Sequence, residues 1–66
     1  MSLPDPAELI TLRAAAALLR VSHPTIRRWI SQRRLSEYRV GASPRVDRRE
    51  VRGLIVLVSP RQEMQR

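Results

Sequence analysis

The sequence predicts a mainly α-helical single domain with one small β-hairpin, on three observations. A stretch rich in helix formers, "LRAAAALLR", and one with the apolar spacing of a helix face, "HPTIRRWISQ", meet at the breaker "RVS". "EYRV-GASP-RVD" alternates in polarity on both sides of a Gly- and Pro-bearing tetrapeptide, as hairpin strands do. "DRRE" is a helix-start signal placed just ahead of another apolar run.

Residues 1–8 are punctuated by Pro4 and Pro6 and read as an irregular lead-in. Leu9 to Thr11 read as a short strand or a buried anchor. Thr11 is placed to cap a first helix over Leu12–Arg20, where the Ala14–Ala17 run lets a second helix approach closely. Ser22 is placed to cap that second helix. Pro24 falls in its first turn, where a missing N–H costs nothing. The helix runs to about Gln32, with Ile26, Trp29 and Ile30 on one side, and "RRL" follows as a connector.

In the hairpin, Tyr38, Val40 and Val46 are expected toward the core and Arg39, Arg45 and Asp47 on the other face, with Gly41 to Pro44 as the turn. Asp47 and Glu50 have the spacing of a capping box for a third helix. Val51, Leu54, Ile55 and Val58 then supply its i, i+3, i+4, i+7 stripe. "LIVLV" is also compatible with a strand, but the cap favours helix. Pro60 is expected to end it. The domain is therefore expected to span residues 9–58, between the lead-in and a flexible tail at 59–66.

Composition narrows the function. Sixty-six residues form one domain at most. A chain this short buries only about 60% of the surface its unfolded form exposes, which suits a three-helix or winged core and leaves little room for a catalytic pocket. There is no cysteine and a single histidine, so no thiolate or histidine-rich metal site is expected. No cofactor and no enzymatic activity are expected either. No stretch approaches the roughly 20 apolar residues of a membrane span. The start "MSLPDPAEL" lacks the basic residues of a secretory signal. The expected location is the cytoplasm.

The net charge is +7, from thirteen arginines and no lysine against six acids. Eleven of the arginines fall between residues 12 and 52, inside the expected fold. A GC-rich genome explains Arg over Lys but not cations over acids. The excess is the electrostatic footprint of a phosphate binder. With no Phe, the aromatic platform of single-strand RNA binders is missing, and Tyr38 reads as core or hairpin support.

Two helices joined by a short break, then a hairpin and a capped third helix, is the order of a winged helix-turn-helix. On a helical wheel, Ile26, Trp29 and Ile30 mark the buried side of the second helix. Pro24, Arg28 and Ser31 fall opposite, flanked by Thr25, Arg27 and Gln32. A helix lying in a major groove needs such a flank: short residues that let the axis approach, and long donors that reach base edges or phosphates. Arg27 and Arg28 are the prime candidates. Ser22, Thr25 and the free N–H groups of the helix start can hold a phosphate, His23 reads as a further contact or as a surface residue at the helix start, and Arg33 and Arg34 in the connector read as phosphate contacts. Arg48, Arg49 and Arg52 read equally well as a solvated face or as contacts to a neighbouring stretch of DNA backbone.

Residues 9–55 resemble the small MerR-like winged-helix domains of phage excisionases, the recombination directionality factors. The resemblance rests on "LIT", "AAAALL", "VSHPTIRRWI" and "YRVG". It implies a second helix that reads the major groove, a wing in the neighbouring minor groove, and cooperative binding of several copies that bends double-stranded DNA beside an integrase. It also implies contacts from Ser22, His23, Thr25, Arg27 and Arg28, with Arg39, Ser43 and Arg45 in the wing. This chain departs from the pattern twice. Arg20 stands where relatives often have Gly, and would be strained by about 1 kcal/mol or more if that site needs a positive φ. The wing tip "GASP" has no basic residue.

Leu54 to Val58 hold more apolar side chains than one helix face can bury. The surplus around Leu54, Ile55 and Val58 therefore reads as a surface for another copy of the chain or for a partner, the plain alternative being a frayed buried end. Two other functions remain open at this level: a MerR-like transcriptional regulator on the same fold, acting as a symmetric dimer, and an adaptor whose basic face meets acidic proteins.

Overall fold

Side-chain caps start all three helices in the computed structural model, which describes residues 2–58. Asp5 accepts from the Ala7 N–H and opens a single 3-10 turn at Pro6–Glu8. Strand β1 (Leu9–Thr11) leads directly into helix α1 (Leu12–Leu19), whose Ala14 N–H donates to the Thr11 hydroxyl at 3.0 Å. Helix α2 (His23–Ser31) is capped by Ser22. Strands β2 (Tyr38–Val40) and β3 (Ser43–Asp47) form the wing, and helix α3 (Arg48–Arg52) follows without a linker.

Both helices of the helix-turn-helix stop in the same way. The Val21 N–H donates to the Ala16 carbonyl and the Arg20 N–H to the Ala17 carbonyl, which is the Schellman pattern. At the end of α2, Arg34 N–H reaches the Trp29 carbonyl and Arg33 N–H the Ile30 carbonyl. Each motif needs a left-handed residue. Arg20 has φ 58 and Arg33 φ 63, so arginine occupies both places where glycine would be unstrained.

The sheet has the order β1-β3-β2, all antiparallel. The turn is only Gly41 and Ala42; Ser43 and Pro44, expected in the turn, already belong to β3. Gly41, at φ +62, supplies the positive φ that a type II′ hairpin needs at its first central residue. Pro44 is tolerated in the central strand because β1 pairs only with residues 45–47 and ends before reaching it.

This register corrects the expected faces of the hairpin. Tyr38 pairs with Arg45 and Val40 with Ser43, so both lie on the sheet face opposite Val46. A turn with an even number of residues always sets these positions apart. Val46 is fully buried, with Ile10 opposite it on β1, while Val40 is 51% exposed. Asp47, expected outside, is buried because it sits under the start of α3. Arg39 is on the core-side face but at the sheet edge, where its guanidinium reaches water and Glu37.

The core consists of Leu12, Ala15, Ala16, Ile26, Leu35, Val46 and Val51, with Leu19, Val21, Trp29, Ile30 and Leu54 packed around it. Ala15 and Ala16 are the small contact that lets α1 and α2 cross closely. Leu35 is buried although it lies in a polar connector. Next to it, the Ser36 N–H and hydroxyl donate to Glu50 Oε2 at 3.2 and 3.3 Å and tie the connector to α3. Glu50 thus does not close the expected capping box; Asp47 alone caps the helix, through the Arg49 N–H at 2.8 Å.

Helix α3 is also shorter than its apolar stripe suggested. Gly53 ends it, and only Val51 of the stripe is fully buried, with Leu54 half-buried. Ile55 to Val58 leave the domain without regular structure, 68–91% exposed. The β-branched residues of this run disfavour continuing a helix past glycine. The expected stop at Pro60 and the expected flexible tail at 59–66 lie outside the described residues.

Candidate nucleic-acid interface

Ile26 is fully buried, and Trp29 and Ile30 pack on the core beside it. That seam fixes the roll of α2 and turns its other side outward. Pro24, Arg27, Arg28 and Ser31 are all exposed there. Ser31 donates to the Arg28 carbonyl at 2.8 Å and so stays close to the helix surface. The long side chains on this flank are the two arginines.

The start of α2 is tightly organised. Ser22 Oγ accepts from the Thr25 N–H at 3.2 Å and lies 2.9 Å from Thr25 Oγ1. His23 is half-buried and faces, with Arg27, an open cleft of about 290 Å³. Thr11, Leu12 and Arg13 form its second wall, and Ser43 and Pro44 of the wing its third. Of the predicted contacts, the structure gathers His23, Arg27 and Ser43 at this cleft. It adds Arg13, which reading the first helix as scaffold passed over. The signal was Arg13's position in the first turn of α1, directly after a strand that pairs with the wing.

The remaining candidates lie elsewhere. Helix α2 is roughly 13 Å long, and Arg33 and Arg34 are beyond its far end. The Arg34 guanidinium lies over the Trp29 ring, 5.4 Å from its centroid, a cation–π contact that fixes its direction. Arg45 Nε donates to Ser43 Oγ at 3.2 Å, along the outer face of the wing. Arg39 pairs with Glu37 at 3.3 Å and borders a separate, apolar groove with Leu3, Leu9, Tyr38 and Val40.

Ion pairing divides the cations into two sets. Among the described residues, Arg39, Arg48 and Arg49 pair with Glu37, Glu8 and Asp47. No arginine of α1, α2 or the turn after α2 pairs with an acid within the described residues. Positive charge is therefore neutralised around α3 and left available along α2. Two of the α3 arginines left open above thus have partners inside the protein. Burial pushes the Asp47 carboxyl up, but hydrogen bonds from the Arg49 guanidinium and N–H, and the Arg49 charge, outweigh it and leave the pKa below its ordinary value. The hydrogen bond to Asp47 raises Arg49 in turn.

Among the described residues, no cluster of His, Cys, Asp and Glu could hold a metal ion, and no helix is long and apolar enough to cross a membrane. No curated protein matches the chain. The sequence pattern of the helix-turn-helix domain family matches residues 9–55, from the first strand to the end of the folded part. Two capped helices joined by a short turn, with a wing and a third helix around them, are compatible with that match. The chain belongs to the helix-turn-helix domain family and is a DNA-binding protein.

Proposed function

We propose that the chain is a DNA-bending recombination directionality factor, an excisionase, that helps an integrase remove a prophage in the cytoplasm of a bacterial host. Each copy lays α2 in a major groove, with Arg27 and Arg28 reaching base edges or phosphates. Ser22, His23, Thr25, Arg33 and Arg34 hold the flanking backbone, and Arg39, Ser43 and Arg45 shape the wing. Several copies occupy adjacent sites and touch one another through Leu54, Ile55 and Val58. Bending a site by 40–90° costs about 1–6 kcal/mol, which adjacent protomers share. No covalent step is asked of the protein.

One observation carries this reading beyond DNA binding: a domain with a free cationic helix also projects the apolar run Ile55–Val58 into solvent. A lone DNA binder has no use for such a run, whereas copies lined up on DNA can cover it. The sequence resemblance over residues 9–55 points the same way.

The test is a gel-shift titration on attachment-site DNA flanking the gene, followed by footprinting. Laddered complexes over directly repeated sites, with altered mobility of bent DNA, support the excisionase reading. A single protected palindrome without bending would replace it with a symmetric MerR-like regulator. No duplex binding at about 100 mM salt, where electrostatic contacts still act, would leave an adaptor for acidic proteins.

A further inference from the structure

The cleft between α1, α2 and the wing offers more than a border to the recognition helix. Arg13, on α1, and Arg27, on α2, both line it and are both exposed. Neither has an ion-pair partner among the described residues. His23, beside Arg27 on α2, adds an imidazole, Ser43 on the wing adds a hydroxyl that also accepts from Arg45, and no carboxylate lines the wall. The first-turn N–H groups of α1 at Leu12 and Arg13 have no partner within their own helix. An open cleft with cationic and neutral donors on three sides, and no acidic group in its lining, suits an anion.

We propose that this cleft seats one backbone phosphate of the bound duplex, and that Arg13 is its principal ligand. This rests on the DNA-binding reading and deepens it. The phosphate bridges the recognition helix and the wing, so one contact sets how far α2 enters the groove and how the wing lies against the strand. Arg13 positions the protein and reads no base.

Arg13→Gln tests the assignment in the full chain, on a duplex that the wild-type protein selects from a random pool. Arg13 is exposed and unpaired, so melting should match the wild type; Arg13→Lys, which keeps the charge, guards against a folding defect. The expected result is a several-fold loss of affinity with unchanged base preference. The log–log salt slope should also become shallower by about 0.9, the share of one phosphate. Arg13→Lys should keep most of the slope. A single methylphosphonate linkage, walked along the duplex, should at one position weaken the wild type in the same way and leave Arg13→Gln unaffected. An unchanged slope, a changed base preference, or additive penalties at every linkage would overturn the clamp while leaving DNA binding intact. Failure of the wild-type chain to bind any duplex would overturn both.

Discussion

Arg20 holds φ 58 and ψ 44 between the two helices of the motif. A non-glycine residue there is strained by about 1–2 kcal/mol. Arg20→Gly should therefore raise stability by up to about 1 kcal/mol, the relief of strain exceeding the extra freedom glycine has when unfolded; urea unfolding of the two chains measures it. Asp47 makes a prediction in pH. Its carboxyl is held below the ordinary value in the folded state. Its ionised form thus adds stability above the unfolded pKa of about 4, and this is lost as pH falls through the folded value. The stability advantage of the wild type over Asp47→Asn should stay level from neutral pH to about 4 and shrink below it, as thermal melts at stepped pH would show. The chemistry of both residues was legible in the sequence. Arg20 stood where a glycine is usual, and Asp47 stood at a helix start. The burial of Asp47 was not, because that depends on strand register.

Element by element, local signals were read well and long-range ones less so. Thr11, Ser22 and Asp47 cap the helices they were expected to cap, because a cap is decided within four residues. The outward flank of α2 was legible too, since Ile26, Trp29 and Ile30 define a helical face by spacing alone. Arg28 lies on that flank. Arg28→Ala should lower affinity by about 1–3 kcal/mol and relax preference at one base pair, measured by fluorescence anisotropy on a panel of single-base variants. An unchanged panel would remove Arg28 from base reading. The hairpin faces were assigned by polarity, because Tyr38, Val40 and Val46 are all apolar, although any even-numbered turn, the observed Gly41–Ala42 or the expected Gly41–Pro44, sets Val46 on the opposite face. Leu35 and Glu50 were missed because their partners are distant in sequence. Arg13 was missed because only the folded chain brings α1 beside the wing.

At the scale of the whole molecule, the acids and the apolar surplus divide its surface. Glu8, Glu37 and Asp47 pair with Arg48, Arg39 and Arg49, while the arginines of the helix-turn-helix have no acidic partner among the described residues. Ile55–Val58 project as an apolar strap. The proposed lining-up of copies puts the two to separate uses, and they can be separated by mutation. Ile55→Asp should leave the first shifted band in a gel titration where it is and remove the higher bands of the ladder. A second band that persists at unchanged protein concentration would show that the strap plays no part in cooperativity.

The two-residue turn at Gly41 and Ala42 forms the end of the wing. Its tip has no charge, and the arginines behind it are engaged by Glu37 and Ser43. A narrow minor groove attracts inserted guanidinium groups, and this tip presents none. In the proposed complex the wing would rest as a doorstop against the sugar edge instead of entering as a key. An AT-selective minor-groove drug should be able to occupy the same duplex alongside the protein, and a competition titration showing mutual exclusion would mean that the tip enters the groove after all.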